Sequence, residues 1–487
     1  MGFGRDTLTM TTATVAAHGI NILFTPVLAR LFPPEVFGVY ALFASVLTLL
    51  VTVSTLRYSQ ALVVCEGDAE ARGLLLGCFL VHALFTLVCL ACVPVMQHHL
   101  STVHSWNAVV PLLWWLPPAL FLAGTIQIFD QWLSRRRAFG AKAAQRTATA
   151  LVTNLASLVQ ATAAVATSRA LVISNLLGSL VGAVVQVFRG RLSVSGCRGS
   201  PGACSLFSVL YRYRRFAAYD APSAVLNTLS VQLAPLILAV FFTPDVVGHY
   251  ARAMGLVQLP MILVGSAIAQ TFYPYAAQLR TSEERAHFLQ KTLSRLFRAG
   301  IFPFCLLGLA GSTIFTAILG PAWDLAGTFA QILSPWCFFV FVGSPVSTLL
   351  LVLDRQDLNL IFNLMTVSLR AMALAAGGLL GDAVMAVAAF SAVGTLLWIL
   401  LILKLLALTS SSPSTVYTSV RHPLAVAILL SIPVLLLEYA VQLPKLVKIA
   451  LYGLCSLLYI AFLIRAEPGL RSALLKPWRS AGSFLAK

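Results

Sequence analysis

The chain has 487 residues, of which 59% are hydrophobic and only 10% are charged. Soluble domains contain about 45–50% apolar and about 25% charged residues, so a soluble fold of this length is excluded and the lipid bilayer is the expected solvent. The net charge of +17 is compatible with nucleic-acid binding until the basic residues have been placed along the chain.

Fourteen apolar stretches predict fourteen transmembrane helices. In chain order they cover 7–31, 38–64, 73–96, 107–131, 146–167, 169–188, 219–242, 249–272, 299–319, 327–353, 358–380, 382–408, 423–443 and 446–464. The first stretch lacks the features of a cleavable signal peptide, so we expect it to be retained as the first span. The nine cysteines lie mostly in apolar stretches and indicate neither a disulfide framework nor a metal site.

The positions of the basic residues test this map. With the N-terminus placed in the cytoplasm, 26 of the 33 lysines and arginines fall on the cytoplasmic side and three fall outside. The positive-inside rule therefore supports the map, with both termini cytoplasmic. The same distribution explains the net charge as an inner rim that faces anionic lipid, so membrane lipids are predicted partners and nucleic acid is not.

One cytoplasmic connector carries a helix-start signal. Thr281 and Glu284 have the spacing of a capping box, and apolar residues recur after them at helical spacing. The pattern predicts a helix that either lies on the cytoplasmic surface or continues a neighbouring span.

A short connector occurs twice in the sequence. "LFPPEVFGVYA" (31–41) returns as "FFTPDVVGHYA" (241–251), at an offset of 210 residues. The matched positions include Pro34 with Pro244, Gly38 with Gly248 and Tyr40 with Tyr250. We expect the prolines to stop the helix and fix the turn, the glycines to allow close backbone approach, and the tyrosines to anchor at the outer interface. Each corner alone is explained equally well as a stable turn, whereas its repetition points to an internal duplication.

The duplication predicts the architecture. Six spans separate the two corners, so both halves enter the membrane in the same orientation, as a parallel repeat about an axis along the membrane normal. We predict an all-α polytopic membrane protein with an N-terminal six-helix bundle and basic connector (1–205), a C-terminal six-helix bundle (206–410), and two further helices with a basic tail (411–487). Transporters of this plan bind substrate between the repeats and expose it alternately to each side.

Cationic side chains inside the spans are the main candidates for a substrate site. An arginine at mid-membrane costs roughly 2.5–3.5 kcal/mol on insertion scales, so it normally faces a bundle interior or a watery cavity. The candidates are Arg57, Arg252, Arg370 and Arg30. Carboxylates are scarcer in the spans, which favours an anionic ligand such as a diphosphate that guanidinium groups bind bidentately. The alternative is that these arginines snorkel, with the charged end of the side chain reaching a membrane interface. This alternative applies least to Arg370, which lies nearest the centre of its span.

Polar residues in the spans complete the predicted site. They are the cavity-lining candidates Asn21, Asn227 and Gln232, and the titratable candidates for ion coupling, His18, Asp220 and Glu438. Interhelical hydrogen bonding is the alternative for the uncharged members. The sequence shows no nucleotide-binding segment and no large outer loop, which disfavours an ATP-driven pump and a membrane glycosyltransferase. No cofactor, metal or catalytic residue is predicted.

The stretches "TPVLARLFPPEVFGVYALF" and "TLRYSQALVV" resemble the opening of bacterial polysaccharide-repeat flippases. These are the Wzx-type lipopolysaccharide biosynthesis proteins of the multidrug/oligosaccharidyl-lipid/polysaccharide (MOP) exporter superfamily. "VVGHYARAMGLVQLPMILVGSAIAQTFYPYAAQ" and "ILGPAWDLAGTFAQILSPWCFFVFVGSPVSTLLLVLDRQ" continue the likeness, which runs from about residue 10 to 405. The order and spacing of these stretches carry the resemblance, and no single motif is diagnostic.

The resemblance implies a V-shaped, MATE-like pair of six-helix bundles around a cationic cavity. The implied activity is flipping of an undecaprenyl-diphosphate-linked oligosaccharide from the cytoplasmic to the periplasmic leaflet of the bacterial inner membrane. A polysaccharide polymerase and a chain-length regulator are implied partners. The "LRY" motif carries over Arg57 as a cavity cation, whereas Asp220 and the position of Arg252 depart from the family pattern. The alternatives are a drug or cation antiporter of the same superfamily, a membrane-embedded polymerase or ligase, and a non-transporting scaffold.

Overall fold

The computed structural model describes residues 2–65, 67–102, 106–163, 166–194, 206–262, 272, 275–279, 281–441 and 443–466. Side chains are described from residue 14 onward, except those of 190–194. The predicted basic tail beyond residue 466, most of the basic connector, and part of the predicted span 249–272 lie outside the described residues.

Within these ranges the regular structure is helical, and seventeen α-helices follow one another. They are α1 (Gly2–Leu31), α2 (Pro34–Ser54), α3 (Tyr58–Val64), α4 (Asp68–Leu100), α5 (Leu116–Arg135), α6 (Phe139–Ala163), α7 (Ser168–Val194), α8 (Leu206–Arg212), α9 (Ala221–Phe241), α10 (Pro244–Val257), α11 (Ser282–Leu319), α12 (Asp324–Ser347), α13 (Leu349–Val352), α14 (Gln356–Leu379), α15 (Ala383–Leu408), α16 (Pro413–Tyr439) and α17 (Lys445–Ala466). Short 3₁₀ segments precede α5 and α12, and a π-helical turn at Phe216–Asp220 leads into α9.

Twelve of the described helices are long and apolar enough to cross a bilayer, which confirms an all-α polytopic membrane protein. Fourteen spans were predicted, and the two others differ for separate reasons. The predicted span 146–167 is helical within α6, but polar side chains interrupt its apolar surface and it is not among the twelve. The predicted span 249–272 begins in α10 and continues into residues that the structure does not describe.

Two compact units divide the chain. The first comprises Met1–Ala251 with Gly378–Ala383, and the second comprises Arg252–Gly377 with Val384–Lys487. Both copies of the repeated corner therefore fold within the first unit. The predicted boundaries near residues 205 and 410 stay predictions.

In the first unit, α6 packs on α1 and α7, and α2 packs on α5 and α9. A hydrophobic cluster forms where α3 meets α4 and α5, and it includes the fully buried Leu62, Leu74, Ile128 and Trp132. The short helix α3 is anchored by this cluster although it has only seven residues. The cluster therefore fixes the chain immediately after the break between α2 and α3.

In the second unit, α11 covers 38 residues, is kinked at Ala310, and packs on α12, α16 and α17. Its capping box is confirmed: the Thr281 hydroxyl accepts from the backbone N–H of Glu284, and the Glu284 carboxylate accepts from the N–H of Thr281. The predicted helix therefore continues directly into the following span. The helix departs from regular geometry at Ala310, about two turns after Pro303.

Candidate functional site

The two repeated corners contact each other directly. A Cβ atom built on Gly38 would lie 1.6 Å from the carbonyl oxygen of Pro244, and one built on Gly248 would lie 1.9 Å from the carbonyl oxygen of Pro34. This reciprocity is what a two-fold relation between the helix pairs α1–α2 and α9–α10 requires. Close backbone approach, predicted for the glycines, is therefore an approach of one corner to the other.

The other corner residues lie differently from the prediction. Pro34 and Pro244 are the first residues of α2 and α10, so they start the second helix of each pair rather than stop the first. Tyr250 is only 4% exposed, and Tyr40 faces a cavity inside the first unit. The expected position of both tyrosines at the outer interface stays a prediction.

A polar seam runs from the corners along the facing sides of α2 and α9. The Ser45 hydroxyl donates to Oε1 of Gln232 at 3.0 Å, and the hydroxyls of Thr52 and Thr228 lie 3.2 Å apart. Residue numbers rise along α2 while they fall along α9, so the two helices are antiparallel. The two contacts lie seven residues apart on α2, so they cover about 10 Å of its length.

An ion pair lies at the end of the seam away from the corners. Nε of Arg57 donates to Oδ2 of Asp220 at 2.8 Å, and the two side chains are 22% and 41% exposed. The excess of buried positive charge inferred for Arg57 is thus balanced, in this conformation, by a carboxylate 163 residues further along the chain. Asp220, which departs from the family pattern, is therefore the ion-pair partner of Arg57, the residue that the "LRY" motif identified.

Unusual backbone geometry positions both members of the pair. Leu56 and Arg57 have φ angles of 47° and 62°, in the left-handed region that costs non-glycine residues about 1–2 kcal/mol each. The buried hydroxyls of Thr55 and Ser59, 3.2 Å apart, flank this turn. Asp220 ends the π-helical turn before α9. Such turns and strained residues concentrate at functional sites, where the surrounding packing holds them in place.

A separate polar cavity of about 470 Å³ lies between α1, α2, α6 and α7 of the first unit. The lining residues that carry side-chain nitrogen include His18, Asn21, Gln145, Arg146 and Asn175. The sequence analysis named Asn21 as a cavity-lining residue and His18 as a coupling candidate, but it missed the α6 wall. A signal was present, because Gln145, Thr149 and Thr153 recur every four residues inside an apolar stretch.

The predicted cation Arg370 is buried in the second unit. Its guanidinium carbon lies 4.2 Å from the ring centre of Trp336 and 3.9 Å from that of Phe390, and the residue is 7% exposed. Cation–π interactions with two rings stabilise a buried guanidinium. The position faces aromatic rings rather than open space in this conformation, and its contact with substrate stays a prediction.

The other predicted substrate residues do not converge on one point. Arg252 lies with its guanidinium carbon 5.6 Å from the ring centre of Trp323, also in the second unit. Arg30 is exposed in the last turn of α1, and Asn227 is exposed on α9. The seam thus gathers Arg57, Asp220 and Gln232, whereas the cavity gathers His18 and Asn21.

The coupling candidate Glu438 joins the last two helices to α11. Its Oε2 accepts from Thr313 at 2.9 Å and from Tyr452 at 3.1 Å, and it lies 3.4 Å from Nζ of Lys448. The Glu438 and Lys448 side chains are 10% and 11% exposed. These contacts give Glu438 a role in docking α16 and α17, while ion coupling stays a prediction.

Comparisons with known proteins identify the family and the fold. A family model described as "Polysaccharide biosynthesis protein" matches residues 27–326. The Escherichia coli (strain K12) lipopolysaccharide biosynthesis protein WzxC is 26% identical over 174 residues, so the match spans about a third (35%) of each chain. The lipid II flippase MurJ has a similar fold, with a TM-score of 0.72, 12% identity, and 94% of this chain and 99% of that chain covered. A multidrug-resistance MATE-family transporter of the MOP superfamily also has a similar fold, with a TM-score of 0.58 and 14% identity. The alignment covers 82% of this chain and 96% of that chain.

Proposed function

Because the chain belongs to the polysaccharide biosynthesis protein family, we propose that it is a flippase for undecaprenyl-diphosphate-linked oligosaccharide repeat units. It moves them by alternating access from the cytoplasmic to the periplasmic leaflet of the bacterial inner membrane, with both termini in the cytoplasm. A polysaccharide polymerase and a chain-length regulator use the product. The similarity to a lipopolysaccharide biosynthesis protein and the fold shared with a lipid II flippase support this proposal.

The observation that carries the proposal is the Arg57–Asp220 ion pair. In this conformation the Asp220 carboxylate occupies the position beside Arg57 that the substrate diphosphate takes on arrival. A guanidinium has five N–H donors, and the bond to Asp220 uses only Nε. A diphosphate offers more oxygens and more negative charge than one carboxylate, so it forms the stronger bidentate contact with Arg57 and displaces Asp220.

The exchange is energetically inexpensive because the pair is only partly buried. With side-chain exposures of 22% and 41%, the pair resembles surface ion pairs, whose net contribution is about 0–1 kcal/mol. A deeply buried pair would cost several kcal/mol to separate and would resist displacement. Once displaced, Asp220 has lost its cation, which makes it the first candidate for proton or ion coupling at this site.

The antiporter alternative is disfavoured by the charges at these positions. A cationic drug requires carboxylates, whereas the seam presents a guanidinium whose carboxylate partner is already engaged. The described residues that line the cavity include Arg146 and no acidic side chain. Both positions therefore favour an anionic substrate.

The proposal is tested in liposomes that contain a labelled, short-chain polyprenyl-diphosphate oligosaccharide. Exposure of the label to an enzyme added outside is followed for the wild type, Arg57→Ala and Asp220→Asn, with an imposed ion gradient. We expect Arg57→Ala to abolish exposure. Asp220→Asn removes the competing carboxylate, so we expect it to bind substrate up to about fivefold more tightly, the ratio that corresponds to 1 kcal/mol.

The matched control is Arg169→Gln, which removes an exposed arginine at the start of α7. It should flip at the wild-type rate. Equal rates in the wild type and Arg57→Ala would refute the role of Arg57 while leaving a flippase. No exposure above that of empty liposomes, under a gradient of either sign, would refute the flippase itself and favour the polymerase, ligase or scaffold alternatives.

A further inference from the structure

We propose that the polar cavity between α1, α2, α6 and α7 is a saccharide subsite that binds an acidic sugar, with the sugar carboxylate on Arg146. The inference rests on the proposed function, because it names a chemical feature of the repeat unit that the flippase carries. It concerns a site distinct from the Arg57–Asp220 pair, and it is testable without transport.

The walls of the cavity match the chemistry of a sugar. Amide groups come from Asn21, Gln145 and Asn175, and hydroxyl groups come from Tyr40 and Thr149. Sugar hydroxyls both donate and accept hydrogen bonds, and amides and hydroxyls offer both functions. The volume of about 470 Å³ lies within the range of about 300–1,000 Å³ for small-molecule sites.

The charge of the cavity selects an anion. Arg146 is the cationic member of the wall, and the described lining residues contain no carboxylate. Asp130 on α5 interacts electrostatically with Arg146, but it interacts with Lys142 as well and accepts a hydrogen bond from Gln186 at 2.7 Å. Two cations facing one acid leave a net positive charge beside the cavity. One guanidinium suits one carboxylate, since the two groups form a bidentate pair.

Hydrogen bonds hold the polar groups in place before a ligand arrives. Nη1 of Arg146 donates to the Thr14 hydroxyl at 3.0 Å, and Asn21 accepts from Nδ2 of Asn154 at 2.7 Å. Nε2 of Gln145 donates to the Thr149 hydroxyl at 3.1 Å. A site whose side chains are already ordered loses less entropy on binding, which favours recognition of a small ligand.

The position of the cavity fits an extended substrate. Tyr40 lines the cavity near the start of α2, and Arg57 follows the other end of that helix. From Tyr40 to Ser54 the helix rises about 21 Å. The Tyr40 end of the cavity, beside Phe24 and Leu28, is therefore farther from Arg57 than a single sugar spans, whereas Arg146 donates to Thr14 at the opposite end of the cavity. The cavity thus binds the sugar, while Arg57 binds the diphosphate that all such lipids share.

The test measures binding to the purified full-length protein in detergent. Sodium glucuronate is the probe, glucose is the neutral control, and inorganic phosphate is the competitor, with saturation-transfer NMR as the readout. We expect glucuronate to bind at least about tenfold more tightly than glucose, since a charged hydrogen-bonded contact is worth about one factor of ten or more. Phosphate at equal concentration should compete weakly.

Two variants assign the signal to the cavity. Arg146→Gln should lose glucuronate binding by about tenfold, and Ala17→Leu should lose it by filling the cavity while leaving Arg146 in place. Arg169→Gln is again the matched control, and thermal unfolding reports whether each variant is folded. Retained binding in a folded Ala17→Leu protein would overturn the proposal, and so would equal binding of glucose and glucuronate or full displacement by phosphate. The binding measurements use no lipid-linked substrate. A negative result here would therefore refute the saccharide subsite without refuting the flippase, and a negative flipping assay would not by itself exclude glucuronate binding.

Discussion

The contact between the two corners makes a specific prediction for Gly38→Ala. The added Cβ atom would lie 1.6 Å from the carbonyl oxygen of Pro244, whereas Cβ atoms essentially never come within 3.0 Å of such an atom. The neighbour is backbone rather than a flexible side chain, so α2 and α10 must separate by at least about 1.4 Å. Overpacking of this kind costs about 1–3 kcal/mol, which we expect as a loss of unfolding free energy.

The reciprocal variant sharpens the prediction. Gly248→Ala meets the carbonyl oxygen of Pro34 at 1.9 Å and should cost nearly as much. The double variant should cost less than the sum of the two single variants, because the first substitution already separates the corners. Gly19→Ala in α1, where an added Cβ meets nothing within 4 Å, is the control and should be neutral or stabilising by up to about 1 kcal/mol.

The assay is reversible unfolding of the purified protein in mixed micelles by titration with SDS. Wild-type stability for both Gly38→Ala and Gly248→Ala would refute the direct contact of the corners. Strict additivity in the double variant would show that the two glycines meet different surroundings, and that outcome would refute the two-fold reciprocity.

Three further predictions concern buried polar groups. Arg370→Lys should lower the thermal unfolding temperature more than Arg370→Met does, because lysine keeps the buried charge but loses the stacking on two rings. A larger decrease for Arg370→Met would contradict the assignment of a stabilising cation–π interaction. Glu438→Gln should lower the free energy of SDS unfolding by about 2 kcal/mol, because Lys448 loses its counter-ion. Adding Lys448→Met should recover much of that free energy. If the double variant is no more stable than Glu438→Gln, the ion pair is not the cause. Burial raises the pKa of the Cys65 thiol, so its thiolate appears at higher pH in the folded protein than in the SDS-denatured protein. Labelling of Cys65 with N-ethylmaleimide between pH 7 and 9, measured by mass spectrometry, should therefore begin at lower pH in the denatured sample. Labelling that begins at the same pH in both samples would contradict the prediction.

Local patterns in the sequence predicted the elements well. The apolar stretches located the spans, and the Thr281 capping box located the start of α11, because both signals depend on neighbours in the chain. The repeated corner was also visible, since it is a repeat of sequence. Its role as a contact between the copies was not, because that depends on how two distant helix pairs pack.

The partners in the candidate site required the fold. Arg57 was identified as a cavity cation, but its carboxylate partner lies 163 residues away and was classed as a coupling residue. Arg370 was assigned to substrate because it is the most central arginine in the spans, and that assignment stays a prediction. Its stacking partners Trp336 and Phe390 belong to other helices, so the sequence did not reveal them. The α6 wall was different, because its polar residues recur at helical spacing and a count of polar positions within the span would have revealed Arg146.

The polar stripe of α6 has a consequence for how the protein is made. A helix released from the translocon into lipid must be apolar enough to partition there, and α6 is not among the helices that meet that requirement by themselves. Three of its polar side chains bond to α1 and α7, against which it packs: Arg146 to Thr14, Asn154 to Asn21, and Gln160 to Ser174. Since α7 is synthesised directly after it, we expect α6 to enter the bilayer as a hairpin with α7 and not as a single segment. The side chains that give the cavity its chemistry therefore also make the biogenesis of α6 depend on its neighbours.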